Sequence, residues 1–63
     1  MSNWKIALLL RLADGTFRVK NDTFTKDIGY NVEADKLLAG REYCRCQIYF
    51  DSDEDRVYII KEM

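Results

Sequence analysis

The chain has 63 residues, of which 48% are hydrophobic and 33% are charged, and its formal net charge is −1. This length fits one domain, residues 1–63, and the apolar content is sufficient for a folded core, which argues against wholesale disorder. Near-neutral charge argues against generic binding to a polyanion, although residues 1–20 carry a net charge of +3 and the rest of the chain is acidic. The apolar run Ile6–Leu10 is too short for a membrane span or a signal-peptide core. We therefore expect a cytoplasmic protein that does not associate with membranes.

The first twenty residues predict a β-hairpin. Apolar side chains occupy the even positions from residue 4 to residue 12, and Asp14-Gly15 is a strong signal for a type I′ turn. A two-residue loop sets Leu12 opposite Phe17, apolar against apolar, whereas a three-residue loop would set Leu12 opposite Thr16. We expect the two-residue loop, with the even-numbered side chains of the first strand in the core.

The middle of the chain predicts one short helix. Asn31 is a suitable N-cap for a helix over Val32–Ala39, and Gly40 is a suitable residue to end it. Two turns of helix cannot persist alone and must pack on the sheet. Residues 27–32 also alternate between apolar and polar positions, so an additional strand there is the competing interpretation.

The last 23 residues predict a second hairpin, closed by the acidic turn Asp51–Asp55. Alternation on both sides of this turn sets a register that pairs Phe50 with Val57 and Ile48 with Ile59 on a buried face. The pairs expected on the opposite face are Tyr49 with Tyr58, Asp51 with Arg56 and Arg45 with Glu62.

Together these elements predict an α+β fold of order ββαββ. It consists of a four-stranded antiparallel sheet with the helix on one face. The favoured strand order is 2-1-4-3, because the first and last strands are the most apolar and should lie near the centre. A small five-stranded β-barrel is the second choice.

The sequence contains no recognisable catalytic or metal-binding constellation. It lacks histidine, and Cys44 and Cys46 are expected to be buried free thiols, since both point to the inner side of one strand. The carboxylates at residues 51, 53, 55 and 62 have the spacing of a calcium loop, but Arg56 stands where such a loop requires glycine. We therefore expect no enzymatic activity, no cofactor and no metal site.

Two surfaces are candidates for binding a partner. The open face of the sheet is expected to combine tyrosine, arginine and aliphatic side chains, which is the composition of interface hot spots. The acidic turn is the other candidate, because it could occupy a basic groove on a target. The residues predicted on the open face are Lys5, Leu9, Arg11, Arg18, Arg45, Gln47, Tyr49, Arg56, Tyr58 and Ile60, and those of the turn are Asp51, Asp53, Glu54 and Asp55.

These features predict a non-enzymatic protein-binding module. Genes this short that encode a folded unit fit phage or mobile-element products, including inhibitors of a host nuclease or polymerase. The alternative function is binding of single-stranded nucleic acid on the open sheet face, where aromatic side chains could stack on bases. A homodimer is a further option.

Overall fold

The computed structural model describes residues 4–63, apart from the side chain of Ile60. It contains five strands and one helix. In chain order they are β1 (Trp4–Arg11), β2 (Phe17–Lys20), β3 (Thr25–Gly29), α1 (Val32–Leu38), β4 (Tyr43–Asp51) and β5 (Arg56–Glu62).

The strands form one antiparallel, curled sheet, a half-barrel, in the order β3-β2-β1-β4-β5. The first four strands have the 4-1-2-3 arrangement of a Greek key, and β5 extends it as a hairpin partner of β4. The predicted strand order was wrong in one respect, because β1 pairs with the first strand of the second hairpin and not with the last. β4 is nine residues long, so it pairs along nearly all of β1 while its other edge pairs with β5. The fifth strand is β3, which overlaps the segment that the sequence left open.

The register of the β4–β5 hairpin is confirmed next to the acidic turn. Phe50 pairs with Val57, and Ile48 pairs with Ile59. The pairs Tyr49–Tyr58 and Asp51–Arg56 are also present. The predicted pair of Arg45 with Glu62 is wrong, because a register shift at Gln47/Ile48 moves Glu62 opposite Cys46.

The register of the β1–β2 hairpin differs from the prediction by one residue. Leu12 bonds to Thr16, whose carbonyl accepts the Leu12 N–H at 2.8 Å, so the loop has three residues and not two. The Asp14 carboxylate stabilises this loop by accepting from the Thr16 N–H at 3.0 Å and the Thr16 hydroxyl at 2.6 Å, which lowers the pKa of Asp14. Gly15 adopts a φ of +87° that other residues rarely adopt. Phe17 consequently lies opposite Arg11.

This register directs the odd-numbered side chains of β1 to the inner face of the sheet. Ala7 and Leu9 are buried, whereas Trp4 and Ile6 are about half exposed, at 48% and 46%. The prediction that the even-numbered residues are core and Leu9 is on the open face is therefore wrong. Leu9 is completely buried.

The core lies between the inner face of the sheet and α1. Two fully buried residues of the helix, Ala34 and Leu38, meet the inner side chains of the strands. Cys44 and Cys46 are buried among them as free thiols, as predicted. The other buried core residues are Ala7, Leu9, Phe17, Val19, Ile48 and Val57.

The helix begins at the predicted cap and ends one residue earlier than predicted. The Asn31 side chain accepts from the backbone N–H groups of Glu33 (2.9 Å) and Ala34 (3.0 Å). Such a cap contributes about 1 kcal/mol. Ala39 takes the left-handed conformation, with a φ of 53°, and its N–H donates to the Asp35 carbonyl.

Side-chain contacts link β5 and the turn before it to other parts of the fold. Lys26 Nζ of β3 lies 3.2 Å from Asp55 Oδ1. At the other end of β5, the Arg41 guanidinium donates to both carboxylate oxygens of Glu62, at 2.7 and 2.8 Å. These contacts connect β5 to β3 at one end and to the α1–β4 loop at the other.

Candidate functional site

The candidate site is the face of the sheet that α1 does not cover, which we call the outer face. Side chains that pair across neighbouring strands point to the same side of a sheet, so the register defines which residues share this face. Leu8 lies between Lys20 and Arg45, and Leu10 lies between Arg18 and Tyr43. The other rows are Ile6–Gln47–Lys61, Trp4–Tyr49–Tyr58 and Asp51–Arg56.

This face exposes large apolar and aromatic side chains along its middle. Tyr43 is 63% exposed, and Trp4 and Ile6 are about half exposed. Tyr49 and Tyr58 are each 37% exposed, and their ring centroids are 6.1 Å apart. Contiguous apolar surface of this kind on a small protein is typical of an interaction site.

Basic side chains flank the apolar row. Three of these cations form no ion pair with any described residue: Lys20, Arg45 and Lys61. The Arg56 guanidinium lies 4.7 Å from the centre of the Tyr58 ring, a distance at which the cation is attracted to the ring face. The outer face therefore combines a central apolar row with cations on both sides.

Arg18 differs from these cations because it is already paired. Its guanidinium donates to both carboxylate oxygens of Asp27 on β3, at 2.5 and 3.2 Å. These hydrogen bonds lower the pKa of Asp27 and raise that of Arg18. Arg18 is thus less available to a partner than Lys20 or Arg45.

The predicted face residues divide into two groups. Arg18, Arg45, Tyr49, Arg56 and Tyr58 lie together on the outer face. The structure places three others elsewhere. Lys5 pairs with the buried Ile48 and therefore lies on the inner side of β1. Arg11 lies on the inner side, where its guanidinium is 5.2 Å from the centre of the Phe17 ring and Nη2 lies 3.3 Å from Asp35 Oδ1. Leu9 is in the core, and the side chain of Ile60 is outside the described part of the chain.

Most carboxylates of the acidic turn have a local contact. Asp51 Oδ1 accepts from the backbone N–H groups of Asp53 (3.0 Å) and Glu54 (3.2 Å), so it stabilises the turn itself. Glu54 accepts from the Tyr58 hydroxyl, which raises the pKa of Tyr58. Asp55 pairs with Lys26. Of the four, Asp53 is the one whose carboxylate has neither a hydrogen bond nor an ion pair among the described residues.

Sequence reasoning missed the apolar row of β1 as a surface feature. Trp4, Ile6, Leu8 and Leu10 alternate as a core-facing strand would, and were assigned to the core for that reason. A signal for the correct register was present in Asp14-Gly15-Thr16, because aspartate two residues before threonine favours the side-chain bonds that close the longer loop.

The inner face offers little for catalysis. Burial raises the pKa of the Cys46 thiol to about 12, so it stays protonated and is a poor nucleophile. Among the described residues, no three Asp, Glu or Cys side chains converge on a point where a metal ion could bind. Nor does the described part of the chain include a helix with the length and apolar character needed to cross a membrane.

In comparisons with protein-family models, curated proteins and solved structures, no match to this chain is found.

Proposed function

We propose that this chain is a non-enzymatic protein-binding module and that its binding surface is the outer face. The observation that carries the proposal is the apolar row of β1 on the side of the sheet opposite α1. Its members are Trp4, Ile6, Leu8 and Leu10.

The position of this row distinguishes it from ordinary surface apolar residues. Isolated exposed apolar side chains are normal in small proteins, but here the exposed Trp4 and Ile6 and the partly buried Leu8 and Leu10 lie in consecutive rows of one strand. Tyr43 and Tyr49 continue the patch on β4. Aromatic and aliphatic groups grouped in this way supply most of the binding free energy at protein interfaces.

The charges beside the row define the chemistry of the partner. Lys20 and Arg45 flank Leu8 on both sides, and no carboxylate in the described part of the chain forms an ion pair with either. A complementary surface has an apolar centre and acidic groups at its rim, which would favour association and orient the complex. The proposed partner is therefore a protein with an acidic-rimmed apolar patch.

The test compares two apolar side chains of similar exposure. Ile6 on the outer face is 46% exposed, and Val32 at the start of α1 is 50% exposed. The partner is isolated by affinity capture from the source cell, purified, and titrated with the wild type and with the variants Ile6→Ser and Val32→Ser. We expect Ile6→Ser to weaken binding by about tenfold or more, and Val32→Ser to leave it unchanged.

A second variant, Tyr43→Ser, removes an aromatic group 63% exposed on the same face and should also weaken binding. Equal affinities for the Ile6, Tyr43 and Val32 variants would refute the outer face as the binding surface. Sedimentation of the free chain at the same concentrations tests self-association: a dimer lost in Ile6→Ser would make a second copy the partner.

An inhibitor of a host nuclease or polymerase is the more specific form of this proposal, with the acidic turn as an additional contact. Asp53 is the carboxylate of that turn without a side-chain partner in the described structure, so Asp53→Asn is the least disruptive test. Slower, salt-sensitive association with the purified partner would support the turn as a contact. Unchanged association would limit the interface to the outer face.

Single-stranded nucleic acid is the second candidate ligand. Exposed Trp4, Tyr43, Tyr49 and Tyr58 beside unpaired cations suit base stacking and phosphate contact. Five-stranded, partly open Greek-key barrels also include oligonucleotide-binding domains, an analogy of fold alone. The acidic turn next to Tyr58 weighs against it. Submicromolar binding of a labelled oligonucleotide, weakening steeply with salt and reduced in Tyr49→Ser, would favour this function over protein binding.

A further inference from the structure

A notch beside the N-terminal half of β1 is the strongest feature not yet used. β2 ends at Lys20, which pairs with Leu8, whereas β1 continues back to Trp4. Before Leu8, as far back as Trp4, β1 therefore has β4 along one edge, and no described strand pairs with its other edge. A cavity of about 530 Å³ occupies this position.

The notch has an apolar floor and a basic rim. Ile6 and Leu8 line its floor, and the turn after β2 lines one side. That turn is held by Asn21, whose Oδ1 accepts from the backbone N–H groups of Thr23 (2.8 Å) and Phe24 (3.1 Å). The charged lining residues are Lys5, Lys20, Arg45 and, as the acidic member, Asp22.

The backbone of Ile6 faces this notch. In the ladder, the Arg11 N–H donates toward the β4 side, to Glu42 O, and the Leu12 N–H donates toward the β2 side, to Thr16 O. Because successive residues of a strand alternate in direction, Ile6 is directed to the β2 side, as Leu12 is. The Asn21 amide lies 3.5 Å from Ile6 O, a long contact that confirms this direction.

We propose that this notch binds a short acidic segment of the partner protein in extended conformation. A carbonyl of the segment accepts from the Ile6 N–H in line with β2, and its carboxylates meet Lys20 and Arg45. Strand addition to an exposed edge is an established mode of peptide recognition, in which the backbone supplies affinity and alternate side chains supply specificity. This inference rests on the proposed function and specifies the chemistry of the partner.

A peptide fits the notch better than a nucleic acid for two reasons. The Ile6 N–H has no hydrogen-bond partner among the described residues and matches the carbonyl of a peptide backbone, which nucleic acids lack. The notch is also short, because the Asn21–Phe24 turn closes its end, so it takes a few residues and not a long polyanion.

The experiment titrates the labelled full chain with a blocked hexapeptide of alternating valine and glutamate, followed by NMR amide shifts. The matched probe has glutamine in place of glutamate. We expect shifts at Ile6, Leu8, Lys20 and Asn21, and affinity about tenfold weaker for the glutamine probe at low salt. Lys20→Gln and Arg45→Gln should each weaken binding of the acidic probe about fivefold. Lys36→Gln, an exposed lysine of α1 outside the notch, should not.

Several outcomes would overturn the inference. These are shifts confined to residues outside the notch, equal affinity for the two probes, or equal effects of Lys20→Gln and Lys36→Gln. Tighter binding of a single-stranded oligonucleotide to the same residues would replace the peptide by nucleic acid.

The same variants separate this inference from the proposed function. If the purified partner loses affinity with Tyr43→Ser but not with Lys20→Gln, the outer face stands and the notch does not. If the acidic probe binds the notch and the partner loses affinity with Lys20→Gln but not with Tyr43→Ser, the notch stands and the outer face fails.

Discussion

β1 and β4 lie side by side at the centre of the sheet, and they distribute their apolar residues differently between its two faces. β4 buries Cys44, Cys46 and Ile48 on the inner face and carries mainly polar or amphipathic side chains outside. β1 buries only Ala7 and Leu9, and its larger apolar side chains lie on the outer face.

The difference separates the apolar side chains that the core requires from those that lie outside the core. A strand needs only one apolar face to pack against α1, and β4 has one such face. β1 has two, and the second contributes no residue to the buried core. Apolar side chains beyond the needs of the core are the ones that a binding function would explain, which is why the outer row of β1 carries the proposal.

The largest expected effect tests the two faces of β1 directly. Leu9 is fully buried and Leu10, its neighbour on the outer face, is half-buried. Leu9→Ala should lower the free energy of unfolding by about 2–5 kcal/mol, because it leaves a cavity, and Leu10→Ala should cost about 1 kcal/mol or less. Urea unfolding followed by circular dichroism measures both. A larger loss for Leu10→Ala would mean that the faces of β1 are reversed.

The inner face of β4 should respond to alkaline pH. Desolvation raises the pKa of the Cys46 thiol to about 12 from 9.0. A group whose pKa is raised by folding stabilises the fold fully below its unfolded value, so this contribution is present below pH 9.0 and is lost as the pH rises toward 12. The stability of Cys46→Ala should therefore fall less steeply than that of the wild type over this range. Parallel curves for the two proteins would contradict the burial of this thiol.

Thiol labelling gives a second measurement on the same residue. Native protein should react slowly with a thiol reagent and denatured protein rapidly, because buried thiols are protected and protonated. Fast labelling of both cysteines without denaturant would show that the inner face of β4 is accessible.

The outer face of β4 should tolerate substitution. Tyr49 is 37% exposed and contacts the Tyr58 ring. Tyr49→Ser should change the free energy of unfolding by about 0.5–1 kcal/mol, far less than Leu9→Ala. A loss comparable to that of Leu9→Ala would show that this side chain supports the fold.

The smallest expected effect concerns the ion pair between Glu62 at the end of β5 and Arg41. Hydrogen bonding to Arg41 lowers the pKa of Glu62 from 4.5. A carboxyl group whose pKa is lowered by folding stabilises the fold at pH values above its pKa in the unfolded chain. This contribution is lost as the pH falls through its pKa in the folded protein. Glu62→Gln should therefore be slightly less stable than the wild type at neutral pH, and the difference should shrink below pH 4.5. A constant difference would exclude this ion pair as its cause.

The two hairpins show how far alternation predicts a register. In the second hairpin both strands have one apolar face, so one pairing buries all of it, and the predicted pairs of Ile48 and Tyr49 are confirmed. β1 is apolar on both faces, so two registers bury apolar side chains almost equally well. The hydrogen bonds of Asp14 to Thr16 favour the register that the structure adopts.

The candidate site was predictable in part for the same reason. Tyr49, Tyr58, Arg45 and Arg56 follow from the register of the second hairpin, and all four lie on the outer face. The apolar row of β1 and the inner position of Arg11 depend on the register of the first hairpin. They could not be placed until that register was known.

The sequence by itself determined the elements whose causes are local. Asn31 caps the helix because its side chain reaches the nearby N–H groups of Glu33 and Ala34. The acidic turn closes a hairpin because apolar and polar residues alternate on both sides of it, so that apolar residues of the two strands pair with each other. Tertiary structure alone decided which face of β1 is covered, that β1 pairs with β4, and that β3 adds a fifth strand. These outcomes depend on which strands, far apart in the sequence, bury their apolar side chains together under α1. Local sequence patterns do not contain that information.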